Sequence, residues 1–464
     1  MSAPAQPKTG LLTIAWPIFV EQGLRMLIVI VDALMVSRAV SVGAAAALSG
    51  ANQWIYTGWT VFNFIAIGAS VVITHHLGAG DRAGAARITT TAIAACTWLG
   101  AATSLALWLL AGPLLALNVH ASLVAHGEPY LRIVGGMQFL DAMNMAIAAT
   151  LRAHRHTRDT MVVLGGQGVL SLAGNCVVLF GLFGAPHMGV TGVALSGVFS
   201  RACACVALWI LLDRRTQLRL RVRDFFVLSW NQLRRVLRIG LPAAGENLCY
   251  LGALMVVTSF VKELGGQAQA AQAGAQNLQR LVIIFSLSLG LGTEIVIGHL
   301  VGAGRLEEAY HTLLKNLRLG ILLALGAVLI VAACAPVIAG QFTDDPAIRS
   351  LSVQLMLLGI LIEPGRVFNI VVINSLRATG DVWFPIAMGA FSMWCVWVPL
   401  AWLLGLHTPL GLHGIWLTMA LDEWLRGLMM RRRWKQRHWV KTATKARDHV
   451  AQDSEAEAAQ IAGM

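Results

Sequence analysis

Apolar runs of about twenty residues or more, separated by short polar breaks, fill the chain from residue 12 to residue 431. Runs of that length are too long for the buried helices of a water-soluble core and match what a helix needs to cross a bilayer. The pattern predicts twelve spans, at 12–37, 50–76, 88–118, 127–152, 161–184, 188–212, 236–262, 273–300, 314–341, 347–377, 384–406 and 410–431. They must be helices, because hydrocarbon offers no partner to an open backbone group. The predicted fold class is an all-α integral membrane protein.

The pattern also repeats. Gly68-Ala69-Ser70-Val71-Val72-Ile73-Thr74-His75-His76-Leu77-Gly78-Ala79-Gly80 returns as Gly292-Thr293-Glu294-Ile295-Val296-Ile297-Gly298-His299-Leu300-Val301-Gly302-Ala303-Gly304, 224 residues later. Trp16-Pro17 with Glu21 and Gln22 returns as Leu241-Pro242 with Glu246 and Asn247, and Leu151-Arg152-Ala153 as Leu376-Arg377-Ala378, both at 225. The chain is therefore two copies of one unit, six spans each, fused head to tail. An even number of spans gives both copies one orientation, so a pseudo-two-fold axis is expected along the membrane normal. A repeat of this size in an apolar chain points to a transporter. The expected divisions are an amino-terminal six-helix lobe (1–212), a basic linker (213–238), a carboxy-terminal six-helix lobe (239–431) and a basic, disordered tail (432–464).

Composition agrees. Apolar residues make up 57% and charged residues 12%, about half the charge of a soluble domain. The net charge of +12 gathers after the even-numbered spans: at Arg82 and Arg87, at Arg152, Arg155 and Arg158, from Arg214 to Arg238, at Arg305, Lys315 and Arg318, at Arg377, and in the tail from Arg431 to Arg447. Basic loops stay in the cytoplasm, so both termini are expected there. Anionic lipid explains these juxtamembrane clusters better than nucleic acid does. The linker arginines Arg214, Arg215, Arg219, Arg221, Arg223, Arg234, Arg235 and Arg238, interleaved with Phe225, Phe226 and Trp230, read as an amphipathic segment on the membrane surface. The seven cysteines lie inside apolar spans and read as packing residues, with no metal-ligand context. The first ten residues carry no cleavable signal pattern, so the first span is expected to be retained. The Gly-Ala-Gly ends of spans two and eight suit a left-handed helix cap.

A charge in hydrocarbon costs at least a few kcal/mol, so each one needs a reason. Span one carries Glu21, Arg25 and Asp32 on one stripe. Glu21 and Arg25, four apart, have the spacing of a neutralising pair. Asp32 lacks a local partner, and two readings are open: a pair with a basic residue on another span, or a binding carboxylate whose protonation changes with access. Span four carries Gln138, Asp141 and Asn144 at every third position. Its repeat equivalents are Glu363, Arg366 and Asn369. Asp141 and Arg366 thus occupy equivalent positions with opposite charge. A substrate role, a salt bridge closing a central cleft and a local Glu363–Arg366 pair are all open. Pro17 and Pro242 lie inside helices, where each removes a backbone hydrogen bond and favours a kink, either moving or fixed. Glu294 stands where the first copy has Ser70. His75 and His299 read as capping or packing residues. Asp422, Glu423 and Arg426 have the spacing of a local ion pair.

Together, the twelve spans, the six-plus-six repeat, the two Gly-Ala-Gly ends, Leu376-Arg377-Ala378-Thr379-Gly380-Asp381, and Trp16-Pro17 with Val31-Asp32-Ala33-Leu34-Met35-Val36 resemble the multidrug and toxic compound extrusion family over about residues 10 to 430. The resemblance implies two lobes that alternate between inward- and outward-facing states and export cationic or amphipathic compounds in exchange for H⁺ or Na⁺. It matches the family's first-helix carboxylate to Asp32, its kink proline to Pro17 and its fifth-span asparagine to Asn175. The acid many members carry one turn later falls on Leu179, their seventh-helix glutamate on Tyr250, and their tenth-helix aspartate on Arg366.

Those departures weaken a sodium site in the second lobe. The resulting expectation is an antiporter, not an enzyme, of a bacterial cytoplasmic (inner) membrane, acting as a monomer on a small cationic or amphipathic substrate. It has no cofactor and no nucleic-acid partner. Asp32, Asn175 and Glu21 are expected at the coupling site, with H⁺ favoured over a Na⁺ bound at Asp32. Gln138, Asp141, Asn144, Glu246, Glu363, Arg366 and Asn369 are expected in the substrate cleft. A lipid-linked saccharide flippase is the nearest alternative, kept open by Arg366. A membrane-embedded enzyme is the next, and no catalytic cluster in the sequence supports it.

Overall fold

The computed structural model describes residues 10–184, 186–218, 221–226 and 228–462. Among these the regular structure is helical throughout. In chain order the α-helices are α1 (Leu11–Ala39), α2 (Val42–Ala79), α3 (Arg82–Leu109), α4 (Ala111–Ala116), α5 (Ala121–Tyr130), α6 (Gln138–Ala153), α7 (Thr157–Phe180), α8 (Gly189–Thr216), α9 (Trp230–Glu263), α10 (Gly266–Gly302), α11 (Leu306–Phe342), α12 (Pro346–Ala378), α13 (Trp383–Phe391), α14 (Val398–Leu406), α15 (Gly411–Lys435) and α16 (Trp439–Ala462).

Each of the twelve expected segments falls on helix, and nine helices among the described residues are long and apolar enough to cross a membrane. The fourth and twelfth segments fall short of that criterion for physical reasons. α15 carries the charges Asp422, Glu423 and Arg426 named above. The fourth is broken: α5 passes into a π-turn at Leu131–Gly135, and α6 restarts at Gln138. There the Phe139 amide turns aside to donate to Ser104 Oγ at 2.9 Å. A side chain inserted into the helical ladder is a usual cause of such breaks. A second π-turn, Ser392–Trp397, interrupts the segment from α13 to α14.

The chain divides into two compact units. Unit one comprises Val20–Thr74 and Arg82–Leu241, and unit two takes the opening of α1 up to Phe19, His75–Asp81 and everything from Pro242 onward. Each unit thus includes the first turns of the other repeat's first helix. The boundary runs through α1 two residues after Pro17 and through α9 at Pro242 itself.

Glycine contacts obey the same symmetry. In unit one, a Cβ at Gly68 would collide with the Val236 carbonyl, and one at Gly240 with the Phe64 carbonyl. In unit two, the repeat equivalent Gly292 faces Leu11 and Ala15, with a Cβ contact of 3.2 Å to each. The expected glycine caps are also present, since Gly80 and Gly304 have φ of 83° and 72°. Just before them, a Cβ at Gly78 would strike the His299 carbonyl and one at Gly302 the His75 carbonyl. These are backbone atoms of packed helices that cannot rotate away. Gly302→Val is therefore expected to destabilise the protein by about 1–3 kcal/mol, the usual cost of forcing extra atoms into a packed site. Heating the detergent-solubilised variant and measuring the monodisperse fraction checks this; a wild-type midpoint would refute so close a crossing.

The tail departs from expectation. Instead of disorder it forms α16, because Trp439, Ala443 and Val450 make a buried stripe. Trp439 stacks on Trp434 with ring centroids 4.3 Å apart, inside the core of unit two. In the linker, a short turn at Val222–Phe226 is tied to unit one: Trp98 Nε1 donates to the Phe225 carbonyl at 2.7 Å, and Trp209 stacks on the Phe225 ring. Arg219 lies outside the described residues.

Candidate functional site

In unit one, α1 and α7 approach closely because α7 presents glycine to α1. Leu24 lies 3.1 Å from where a Gly165 Cβ would stand, and Ile28 fills the space at Gly168. The same register, continued toward the Ala39 end of α1, brings Asp32 to Asn175. Asn175 Nδ2 donates to Asp32 Oδ1 at 2.7 Å. Asn175 is buried, and its own carbonyl Oδ1 has no protein partner. Asp32 is half-buried.

Glu21 is not part of this pair. Eleven residues from Asp32, or about 16 Å along a helix, it is buried and accepts from Arg152 Nη1 at 3.3 Å, with Arg25 at 3.9 Å. The second copy does the same: Arg377 Nη2 donates to Glu246 at 3.3 Å, and Glu294 stands 3.8 Å from Arg377 Nη1. The acid after each proline thus pairs with the arginine of each Leu-Arg-Ala sequence. The expected placement of Glu21 at the coupling site and Glu246 in a cleft is corrected accordingly. Both acids neutralise an arginine of the same repeat, which is why repeat and partner are preserved together.

The stripe on α6 is used up inside unit one. Gln138 is fully buried and donates to the Ile55 carbonyl at 2.5 Å, in space left by Gly58. Asp141 accepts from Arg201 Nε at 3.1 Å, and Asn144 donates to the Arg201 carbonyl at 3.1 Å. Arg201, on α8, was missed by the sequence reading. The signal was present: a lone arginine within an apolar span.

The equivalent stripe on α12 is more deeply enclosed. Glu363, Arg366 and Asn369 are 0%, 4% and 2% exposed. Arg366 donates to Glu363 at 2.5 Å and to Glu423 at 3.3 Å, and Asn369 donates to Glu423 at 2.8 Å. Arg426 holds Asp422 at 2.7 Å and Glu423 at 3.3 Å, while Ser392, at the head of the second π-turn, donates to Asp422 at 2.5 Å. The local Glu363–Arg366 pair is thus formed, but as one edge of a five-charge network across α12 and α15. Spacing along α15 alone predicts only a local pair among Asp422, Glu423 and Arg426.

His75 and His76 are buried and tied into unit two. His75 Nε2 bonds the Ala378 carbonyl at 2.7 Å, and His76 Nδ1 bonds Asp81 at 2.8 Å. In the unit-two cluster acid exceeds base by one: Glu363, Asp422 and Glu423 stand against Arg366 and Arg426.

Comparison with known proteins gives the same architecture a family. The MatE family model matches residues 17–177 and 242–403, two stretches that begin at the repeat-equivalent prolines. The chain is 36% identical over 441 residues to the uncharacterized transporter YisQ of Bacillus subtilis (strain 168), covering 95% of this chain and 97% of that protein. It is 24% identical over 445 residues to the probable multidrug resistance protein NorM of Thermotoga maritima, covering 95% of each. A crystal structure of MATE in the bent conformation superposes with a TM-score of 0.84 at 19% identity, covering 95% of this chain and 96% of that one. An outward-facing multidrug resistance MATE family transporter of the MOP superfamily superposes equally well, at 0.84 and 19%.

Proposed function

Because the chain belongs to the MatE family of membrane transporters, we propose that it is a secondary antiporter that exports cationic or amphipathic small molecules in exchange for H⁺. The observation that carries this reading is the Asp32–Asn175 pair, a carboxylate in a half-buried setting joined by a neutral donor. Protonated, Asp32 is neutral and sits comfortably in an apolar surround; ionised, it attracts a cation. The single excess negative charge in the unit-two cluster fits the same substrate class. NorM of Thermotoga maritima, named for multidrug resistance, supports the substrate class by analogy.

A proton suits Asp32 better than sodium. Sodium needs several oxygens around it, and here Asn175 turns its amide nitrogen to the carboxylate. Leu179 provides no oxygen from the next turn. The arginine that would speak for a lipid-linked saccharide flippase, Arg366, is already taken by Glu363 and Glu423. The moving elements in this proposal are α1 and α9. Pro17 and Pro242 weaken both helices where they pass from one compact unit to the other. The protein functions as a monomer in the bacterial inner membrane, with both termini in the cytoplasm.

The test uses purified protein in proteoliposomes and ethidium as the organic cation. A pH gradient alone is expected to drive ethidium accumulation, and a sodium gradient at equal pH is expected to drive none. Accumulation under sodium alone would reject the proton, and no accumulation under either gradient would reject the antiporter.

A further inference from the structure

Glu294 is an acid that the second copy adds. The first copy has Ser70 at the equivalent position of α2, so the shared fold does not require a carboxylate there. A carboxylate within a membrane span needs a reason. Glu294 is 2% exposed, and its Oε2 is buried without a hydrogen-bond partner. Its ion-pair partner stops short of it. Arg377 Nη1 lies 3.8 Å from that Oε2 and donates instead to Asn374 Oδ1 at 3.1 Å, while Nη2 donates to Glu246 at 3.3 Å.

One guanidinium thus stands between two acids. The first copy has the opposite balance at the equivalent place. There Glu21 stands with two arginines, Arg152 at 3.3 Å and Arg25 at 3.9 Å. In the second copy Tyr250 takes the position of Arg25. One change removes a base and the other adds an acid, and both make the second copy more negative. The charged groups that face Glu294 are Arg377 from α12 and, across that guanidinium, Glu246 from α9. α11 contributes the neutral Asn316, which donates to Thr293 Oγ1 at 3.4 Å. The opening of α1 packs apolar side chains against this part of α10. His75, at the end of α2, is turned to the Ala378 carbonyl, and His299 follows five positions on along α10. A buried oxygen that accepts no hydrogen bond costs far more on an anion than on a neutral carboxyl.

Building on the reading of the chain as a proton antiporter, we propose that Glu294 is a proton-binding site of unit two, and that its charge sets how firmly Arg377 holds Glu246 on α9. With the proton on, Glu294 needs no cation, and Arg377 divides its arms between Asn374 and Glu246. The proton leaves to water past Arg377 and Glu246, whose side chains are 13% and 16% exposed. Glu294 is then a buried anion and draws Nη1 away from Asn374, so the guanidinium holds Glu246 less well. Glu246 lies one turn after Pro242, where α9 already lacks a backbone hydrogen bond. The grip on α9 is therefore tight at low pH and loose at high pH.

Infrared titration of the purified protein tests the site without a transport gradient, because a protonated carboxyl absorbs apart from carboxylates. Wild type is expected to lose a buried-carboxyl band as the pH rises. Glu294→Gln is expected to lack that band, and Asp32→Asn to keep it. A Glu294→Gln protein that titrates as wild type does overturns the proposal. If that variant does not fold, Glu294→Ser, which carries the residue of the first copy, gives the same decision. Hydrogen exchange reads the grip. At alkaline pH the α9 amides around Glu246 are expected to exchange faster in wild type than in Glu294→Gln, and at acid pH equally fast. Equal exchange at alkaline pH overturns the link to α9. Wild-type protein that keeps the Glu294 band but fails to move ethidium under a pH gradient removes the antiporter and leaves the proton site standing. Proton-driven transport with no band lost in Glu294→Gln removes only the role of Glu294.

Discussion

Asp32→Asn is expected to reduce pH-driven ethidium transport to the level of empty vesicles, while leaving expression and thermal midpoint close to wild type. The two halves of that expectation have separate physical grounds. The amide has the shape of the acid and keeps an oxygen that can accept from Asn175 Nδ2, so the α1–α7 contact at 2.7 Å survives. At most one charged-acceptor hydrogen bond becomes a neutral one, a difference of about 1 kcal/mol. The amide cannot bind or release a proton in the working pH range, so the variant loses the only step by which the gradient would act at this site. Transport at the wild-type rate by Asp32→Asn would end the assignment of Asp32. Collapse of the folded protein would show instead that Asp32 serves the packing of unit one.

Much of the fold is legible in the sequence because lipid enforces it locally. A helix in hydrocarbon must be apolar over its whole length, so every expected segment could be read from contiguous residues and every one is helical. The repeat was legible for the same reason: the glycines that let α2 and α10 cross recur with their neighbours. Pairing was less legible. Glu21, Arg152, Glu246 and Arg377 each stood out as repeated residues, yet each pair spans 131 positions. Sequence spacing on one helix pointed to Arg25 for Glu21 and to nothing for Glu246. Asp32 stood out as a charge without a local partner and Asn175 came from resemblance, and the structure joins them.

The misses have identifiable causes. Arg201 was passed over because its span reads as apolar by average, although a single arginine outweighs many leucines in transfer energy. The helix α16 was passed over because its polar composition hid three apolar positions on one face, Trp439, Ala443 and Val450. The break after Leu131–Gly135 is accompanied by a side chain from another helix, Ser104, that takes the Phe139 amide. No window along one segment contains that partner.

Glu423→Ala is expected to lower the stability of the protein by about 3–5 kcal/mol, the usual cost of removing one member of a buried ion network. For a unit of this size that corresponds to a fall in the melting midpoint on the order of 10 °C. Glu423 is the central acid of the unit-two network. Its two oxygens accept from Arg366, Asn369 and Arg426, and it is 4% exposed. Its loss leaves two buried guanidiniums with only Glu363 and Asp422, and leaves the Asn369 amide without its acceptor. Glu423→Gln keeps the shape and part of the hydrogen bonding, so it is expected to cost less than the alanine variant. That ordering distinguishes lost charge from lost packing, since Gln restores the volume but not the charge. Midpoints from heating in detergent, followed by size-exclusion chromatography, give the comparison directly. If Glu423→Ala melts with the wild type yet no longer transports ethidium, the network is not a structural clamp on α12 and α15. Unit two would then hold a second group that changes charge during the cycle.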